Sequence, residues 1–182
     1  MAPVNLSQPG GGGGGGGGRN RSVQERMLRC HDKIRLFLDV AQRVVQREGD
    51  EQQCRDGAYD VARYFRESFA DHVADENLSV FPRLAGLAEP ALAFADRAIA
   101  EHVRDELLVG ELVALCDQLA LAEADSARVR LAAVLAELTP RLLDHLAFEE
   151  EFLFPLFTEL APEEEAAMSK EMFERRDARR GP

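Results

Sequence analysis

HLAFEEEFLFPLF covers residues 145–157, and a related stretch, HVADENLSVFPRL, covers residues 72–84. Both copies follow an aspartate, so the shared pattern is D-H-x-A-x-E-x4-F-P, with a constant offset of 73 residues. Another histidine precedes each copy, His31 before the first and His102 before the second, and the chain has no further histidines. A repeat of this length is a supersecondary unit that cannot bury its apolar face alone. The two copies therefore predict two helix pairs that pack into one four-helix bundle.

The spacing of apolar residues, at steps of three and four, predicts amphipathic helices on both sides of each copy. We expect an all-α, up-down-up-down four-helix bundle over residues 22–160 and a short fifth helix within residues 161–182. The third helix should present His102 and Glu106 on its inner face. Asp125 or Ser126 should cap the fourth helix, which Pro140 should kink or split. Nine consecutive glycines, at 10–18, predict a disordered tail over residues 1–21.

Composition excludes several classes of function. The net charge of -11 argues against nucleic acid and anionic membranes as partners, because both are bound largely through basic surfaces. No apolar run approaches the roughly 20 residues that a membrane-spanning helix needs. The three cysteines form no C-x2-C pair and no even set, which fits a reducing compartment. We therefore expect a cytoplasmic protein.

Three of the four histidines have a glutamate four residues later, which places an imidazole and a carboxylate on one helix face. One such histidine alone is more often a satisfied core residue. The full set differs, because buried unpaired charges would each cost several kcal/mol unless a cation compensates them. Seven N and O ligands are too many for one tetrahedral zinc and suit two octahedral-leaning ions bridged by carboxylates. The candidate metal ligands are His31, His72, Glu76, His102, Glu106, His145 and Glu149.

The ordered skeleton H…H-x3-E…H…H-x3-E-x4-F-P resembles the hemerythrin-like, or HHE cation-binding, domain over about residues 25 to 160. That resemblance implies two iron ions, oxo- or hydroxo-bridged, with Glu76 and Glu149 as bridging ligands. It implies that His31 and His72 hold one iron, and that His102 and His145 hold the other.

Glu106 departs from the oxygen-carrying members of this family, which have a histidine at that place. As a terminal ligand, Glu106 would favour ferric iron and disfavour reversible oxygen storage.

Three functions follow from this reading. The first is a module that binds or senses oxygen, nitric oxide, peroxide or iron supply. The second is a di-iron redox enzyme that reduces peroxide or oxygen, and the third is a metal-stabilised structural bundle. We favour the first, without catalytic residues, because the sequence shows no substrate-pocket residues and no electron-transfer motif. The sequence identifies no protein partner. It also predicts that Tyr64 packs in the core and that only Glu149 of the acidic run 149–151 points inward.

Overall fold

The first helix, α1, spans Val23–Gln46 in the computed structural model, which describes residues 22–87, 89–122 and 124–180. Ser22 and Glu25 form a capping box at its start, each side chain accepting a hydrogen bond from the other's backbone N–H. Arg47 ends it in the left-handed conformation, with a φ of 56°. The predicted disordered tail lies outside the described residues.

A second helical rod follows over residues 51–84 and carries the first copy of the repeat. Its N-cap is Asp50, which forms another capping box with Gln53. Two π-helical turns interrupt the rod, which therefore consists of α2 (Glu51–Tyr64), a π turn (Phe65–Phe69), α3 (Ala70–Asp75), a second π turn (Glu76–Val80) and α4 (Phe81–Leu84). The rod continues through Pro82, because this residue sits in the first turn of α4, where a proline needs no backbone N–H.

The second copy of the repeat lies at the end of the fourth helix. Helix α5 spans Glu89–Leu121 and α6 spans Asp125–Phe148. A π turn, Glu149–Leu153, and a 3-10 segment, Phe154–Glu159, complete that copy. Helix α7, Pro162–Arg180, is the C-terminal helix. The described residues form helices, turns and connections and contain no strand, which confirms the all-α prediction.

The helices pack in a ring: α1 against α2 and α6, and α5 against α2 and α6. Two apolar clusters fill the interior. One surrounds Ile34 and Leu142, and the other surrounds Phe81, Phe154 and the α7 residue Met172. His31 follows Met27 of the second cluster and precedes Ile34 of the first, so the histidines lie in the layer between the two clusters.

For the fourth helix the predicted N-cap is wrong, and of the two predicted effects of Pro140 the split does not occur, while the kink stays a prediction. Helix α6 continues through Pro140 as one element, so the proline does not split it. Its N-cap is Ala124, which makes no side-chain cap hydrogen bond, and Asp125 is already in the first turn. A carboxylate in the first turn still stabilises the helix N-terminus electrostatically, without the geometry of a cap.

The third helix is rotated relative to the predicted face. Its buried residues include Ala91, Ala98 and Asp105, whereas Leu92 of the predicted stripe is 53% exposed. Helix α7 packs by Met168 and Met172, which are buried against the second cluster. None of the described helices is both long and apolar enough to cross a bilayer.

Candidate metal centre

Six of the seven predicted ligands meet in the layer between the two apolar clusters. Their donor atoms form two overlapping groups, each with all donor atoms within 4.8 Å of one another. Both groups contain the same two carboxylates, Glu76 and Glu149, and each adds a different pair of histidines. The first pair is His31 and His72, from α1 and α3, and the second pair is His102 and His145, from α5 and α6.

Each shared carboxylate divides its two oxygens between the histidine pairs. Oε1 of Glu76 lies 3.2 Å from Nε2 of His72, and its Oε2 lies 3.4 Å from Nε2 of His102. Oε2 of Glu149 lies 3.2 Å from Nε2 of His31, and its Oε1 lies 3.2 Å from Nε2 of His145. The site thus has two halves, each with two imidazole nitrogens and two carboxylate oxygens.

Six of the eight donor atoms lack hydrogen-bond partners although they are buried, whereas Nε2 of His102 and Nε2 of His145 lie 2.9 Å from each other. Both oxygens of Glu76 and of Glu149, Nε2 of His31 and both ring nitrogens of His72 form no hydrogen bond. Buried polar atoms are nearly always satisfied, because leaving one unpaired costs about 1 to 3 kcal/mol. The distances of 3.2 to 3.4 Å between the histidine Nε2 atoms and the Glu76 oxygens suit ligands that surround one ion at about 2.1 Å. The residues therefore fit a pair of bound cations.

Both shared glutamates open a π-helical turn. Glu76 is the first residue of one such turn and Glu149 the first residue of another, at the same place in the two copies of the repeat. A π turn adds a residue to the turn and occurs often at functional sites. The phenylalanines that follow each turn, Phe81 and Phe154, are buried and pack across the site. Phe154 lies 4.9 Å from the ring of His31, and Phe81 lies 6.0 Å from that of His102.

Three of the four histidines are oriented by a hydrogen bond from Nδ1. His31 donates to Glu150 Oε1 at 2.8 Å, and His145 donates to Glu101 Oε2 at 2.9 Å. His102 donates to Asn77 Oδ1 at 2.9 Å. Such contacts fix the tautomer and turn Nε2 toward a metal.

The sequence prediction missed all three acceptors, and for Glu150 it was wrong, because that side chain is 30% exposed and faces His31. Glu150, Asn77 and Glu101 each neighbour a predicted ligand in sequence but serve a histidine on another helix. The only sequence signal for these acceptors is that each is a polar residue next to a predicted ligand, and this signal does not show which histidine each one contacts.

Burial and charge set the protonation of the site. Burial lowers the pKa of His72 well below its usual range, and the neighbouring His31 adds to the effect. Burial, together with His145, lowers the pKa of His102 to about 4. Both imidazoles are therefore neutral near neutral pH, which is the form that binds metals. Burial and the Glu149 carboxylate raise the pKa of Glu76 well above its usual range, which a bound cation would oppose.

Glu106 joins neither group of ligands. Its side chain is exposed, because the rotation of α5 directs His102 and Asp105 inward and leaves position 106 at the edge of that face. Tyr64 packs on Phe37 with ring centroids 4.1 Å apart and donates to the Cys30 carbonyl, so it stays in the core as predicted. Cys30 and Cys116 are free thiols.

The chain matches the hemerythrin HHE cation-binding domain over residues 22–157. It belongs to the hemerythrin HHE family. The matched range contains both copies of the repeat and all six converging ligands. Comparisons with curated proteins and with solved structures gave no match.

Helix α7 lies beyond the hemerythrin match but is tied to its core by charge. Asp75, adjacent to Glu76 and 1% exposed, accepts hydrogen bonds from Arg175 and Arg176 of α7. Ser79 donates to Glu171 Oε2 at 2.6 Å from the same face. The hemerythrin unit of this chain therefore has an additional helix against the rod that carries His72 and Glu76.

Proposed function

We propose that this chain binds two iron ions, one in each half of the site, and uses them to bind or sense oxygen, nitric oxide or peroxide. The division of the carboxylate oxygens supports this most strongly, because it gives Glu76 and Glu149 one donor atom for each ion. His31 and His72 would hold one ion, and His102 and His145 the other. Bound iron would supply the redox change and the open coordination position that such ligands require.

The donor set and the surroundings support iron over a single structural zinc. Two histidines and two shared carboxylates per ion leave positions free for an oxo or hydroxo bridge and for a ligand, whereas structural zinc is closed at four protein ligands. The up-down-up-down order and a cytoplasmic location belong to the same proposal. Three cysteines that form no C-x2-C pair and no even set fit a reducing compartment.

The placement of Glu106 changes the argument about oxygen storage. An exposed carboxylate outside both groups does not add charge to an ion directly, so the sequence-based case against a carrier loses its main support. An opening beside His102 and His145 favours a site that exchanges ligands over a purely structural one.

Elemental analysis and absorption spectroscopy of the full chain test this function. We expect close to two iron atoms per chain and the bands of an oxo-bridged ferric pair after aerobic purification. One metal per chain or fewer, or zinc alone after expression with iron supplied, would overturn the di-iron proposal. Peroxide consumption over many turnovers would identify a redox enzyme instead of a sensor.

A further inference from the structure

A cavity of about 440 Å³ opens between the helical rod at 51–84 and α5. Its lining includes His102 and His145 but neither His31 nor His72. Most of its wall is apolar and comes from the rod, α5 and α6. The main apolar contacts are Phe65, Phe69, Val73, Val103, Val109 and Leu142. This cavity reaches the second half of the metal centre alone.

The first half is closed by aromatic rings. Phe154 lies against His31 with ring centroids 4.9 Å apart, and the His72 ring meets His31 edge-on at 5.1 Å. The side chains of His31 and His72 are 0% and 2% exposed. A separate cavity behind Cys30, lined by Tyr64 and Arg176 among others, includes neither histidine. A molecule from solvent therefore has a route to His102 and His145 but not to His31 and His72.

The charge of the metal-free cavity disfavours anions. Three carboxylates line it: Glu101, which accepts from His145, Asp105, which two arginines neutralise, and Glu106. No lysine or arginine is part of its lining within the described residues. In the metal-free chain an anion there would meet these carboxylates, while the arginines beside Asp105 are already paired with it.

The volume of the cavity exceeds what a diatomic ligand needs. One water molecule occupies roughly 30 Å³ in the liquid, whereas pockets for organic molecules measure about 300 to 1,000 Å³. The mouth carries two exposed apolar side chains, Leu78 at 63% and Val103 at 68%. Size, apolar walls and an apolar mouth together indicate an organic occupant.

We propose that this cavity binds an uncharged, mostly apolar organic molecule with one oxygen function, an alcohol or hydroperoxide, whose oxygen faces His102 and His145. The apolar part lies against Phe69, Val73 and Val109. The direction of the oxygen rests on the proposed function, since a bound ion would attract it, whereas the apolar contacts do not depend on an ion.

The probe for this site is 2-phenylethanol, with phenylacetate as its anionic counterpart. We expect saturable binding of the alcohol to the full chain with and without metal, by calorimetry. In the metal-free chain, phenylacetate should bind at least about tenfold more weakly than the alcohol. The chain has four histidines, so histidine-labelled metal-free protein gives four sets of ring signals. Addition of the alcohol should shift the signals of His102 and His145 and leave those of His31 and His72 in place.

Val109→Phe fills the cavity, and Val113→Phe is its matched control. Both valines lie in α5, are half-buried and pack against the same apolar cluster, but only Val109 lines the cavity. We expect the alcohol to bind at least tenfold more weakly to Val109→Phe and with wild-type affinity to Val113→Phe. Ala74→Phe, which narrows the opposite wall, provides a second block if Val109→Phe does not fold.

The outcomes separate this proposal from the di-iron function. Absence of saturable alcohol binding, equal binding of phenylacetate and the alcohol to the metal-free chain, or unchanged binding in a folded cavity-filling variant would overturn the cavity proposal. Metal content is measured on the same samples. A chain that takes up no metal yet binds the alcohol in a Val109-dependent way would reject the di-iron function and retain the apolar binding site.

Discussion

The two halves of the metal centre come from one repeated sequence pattern, yet they differ in access and in support. Phe154 covers His31, the His31 ring meets that of His72, and Nδ1 of His72 has no hydrogen-bond partner. His102 and His145 border an open cavity, and both have an Nδ1 acceptor. Duplication explains the shared ligands, whereas the residues that surround each pair make the halves unequal.

A buried aspartate flanks each half, and its arginine partners come from different places. Asp105 is paired with Arg104 and Arg141, which belong to α5 and α6. Asp75 is paired with Arg175 and Arg176 of α7, outside the family match. The aspartate beside the open half is therefore neutralised from within the four-helix bundle, whereas the aspartate beside the closed half is neutralised by α7.

Glu76→Gln removes a carboxylate that both halves share and should give the largest change in stability. The change should be a loss with metal bound and a gain without metal. With metal, the loss of a carboxylate common to both ions should remove most of the metal-linked stability, about 2.7 kcal/mol for a ligand at a hundred times its Kd. Without metal, the substitution removes a buried acid and should raise Tm. Thermal unfolding with and without chelator measures both effects. Equal shifts in the two states would contradict a shared ligand, and exposed Glu151→Gln is the control.

The same variant gives a pH dependence in the metal-free protein. Burial and Glu149 raise the folded-state pKa of Glu76, so its contribution to stability is full below the unfolded pKa and is lost as pH rises through the folded pKa. As pH rises above the unfolded pKa of glutamate, about 4.3, wild type should therefore lose stability relative to Glu76→Gln, by at most about 1.4 kcal/mol per pH unit, until the pH passes the folded-state pKa. A constant difference would show that Glu76 is ionised throughout.

The double substitution Arg175→Ala and Arg176→Ala tests the support of the closed half. It leaves Asp75 buried without a cation, which destabilises a protein by about 3 kcal/mol. Hydrogen exchange should accelerate in α3 and remain slow around His102 in α5. Lys170→Ala, on the exposed side of α7, should change stability by less than about 0.5 kcal/mol. Equal acceleration in α3 and α5 would mean that α7 supports the whole bundle.

The sequence predicted the meeting of the four histidines because the repeat fixes which face of each helix carries them. It did not predict which face of α5 points into the bundle. His102 can belong to a face with Glu106 or to a face with Asp105, and the apolar pattern alone favoured the face with Glu106. In the structure the face with Asp105 points inward, since Arg141 on α6 neutralises the buried Asp105 carboxylate. The cavity was also beyond the sequence, because its walls come from three helices whose relative positions no local pattern sets.

Glu101→Ala and Glu150→Ala compare the hydrogen bonds behind the two halves. Glu101 orients His145 in the open half, and Glu150 orients His31 in the closed half. Removing such an acceptor typically weakens metal binding about 10- to 100-fold. Each variant should weaken one of two metal equivalents in a chelator competition and leave the other unchanged. Weakening of both equivalents by one substitution would show that the halves do not bind independently.

Cys30→Glu would make the two halves more alike and should give the smallest effect. Cys30 precedes His31 as Glu101 precedes His102, and Glu101 is the residue that accepts from His145. Burial raises the pKa of the Cys30 thiol, so position 30 offers no anion to the unpartnered Nδ1 of His72. A glutamate there gains a nearby cation, because Arg176 lies close enough to act on the Cys30 charge.

We expect Cys30→Glu to strengthen metal binding in the closed half by up to about tenfold, since a carboxylate acceptor raises the basicity of a ligating imidazole. Cys30→Gln supplies an acceptor without charge and should give a smaller gain, and Cys30→Ala should give none. Chelator competition resolves the two equivalents, and the histidine ring signals show whether His72 acquires a hydrogen bond. If Cys30→Glu binds no better than Cys30→Ala while that hydrogen bond forms, the missing acceptor is not what distinguishes the halves, and the difference rests on access alone.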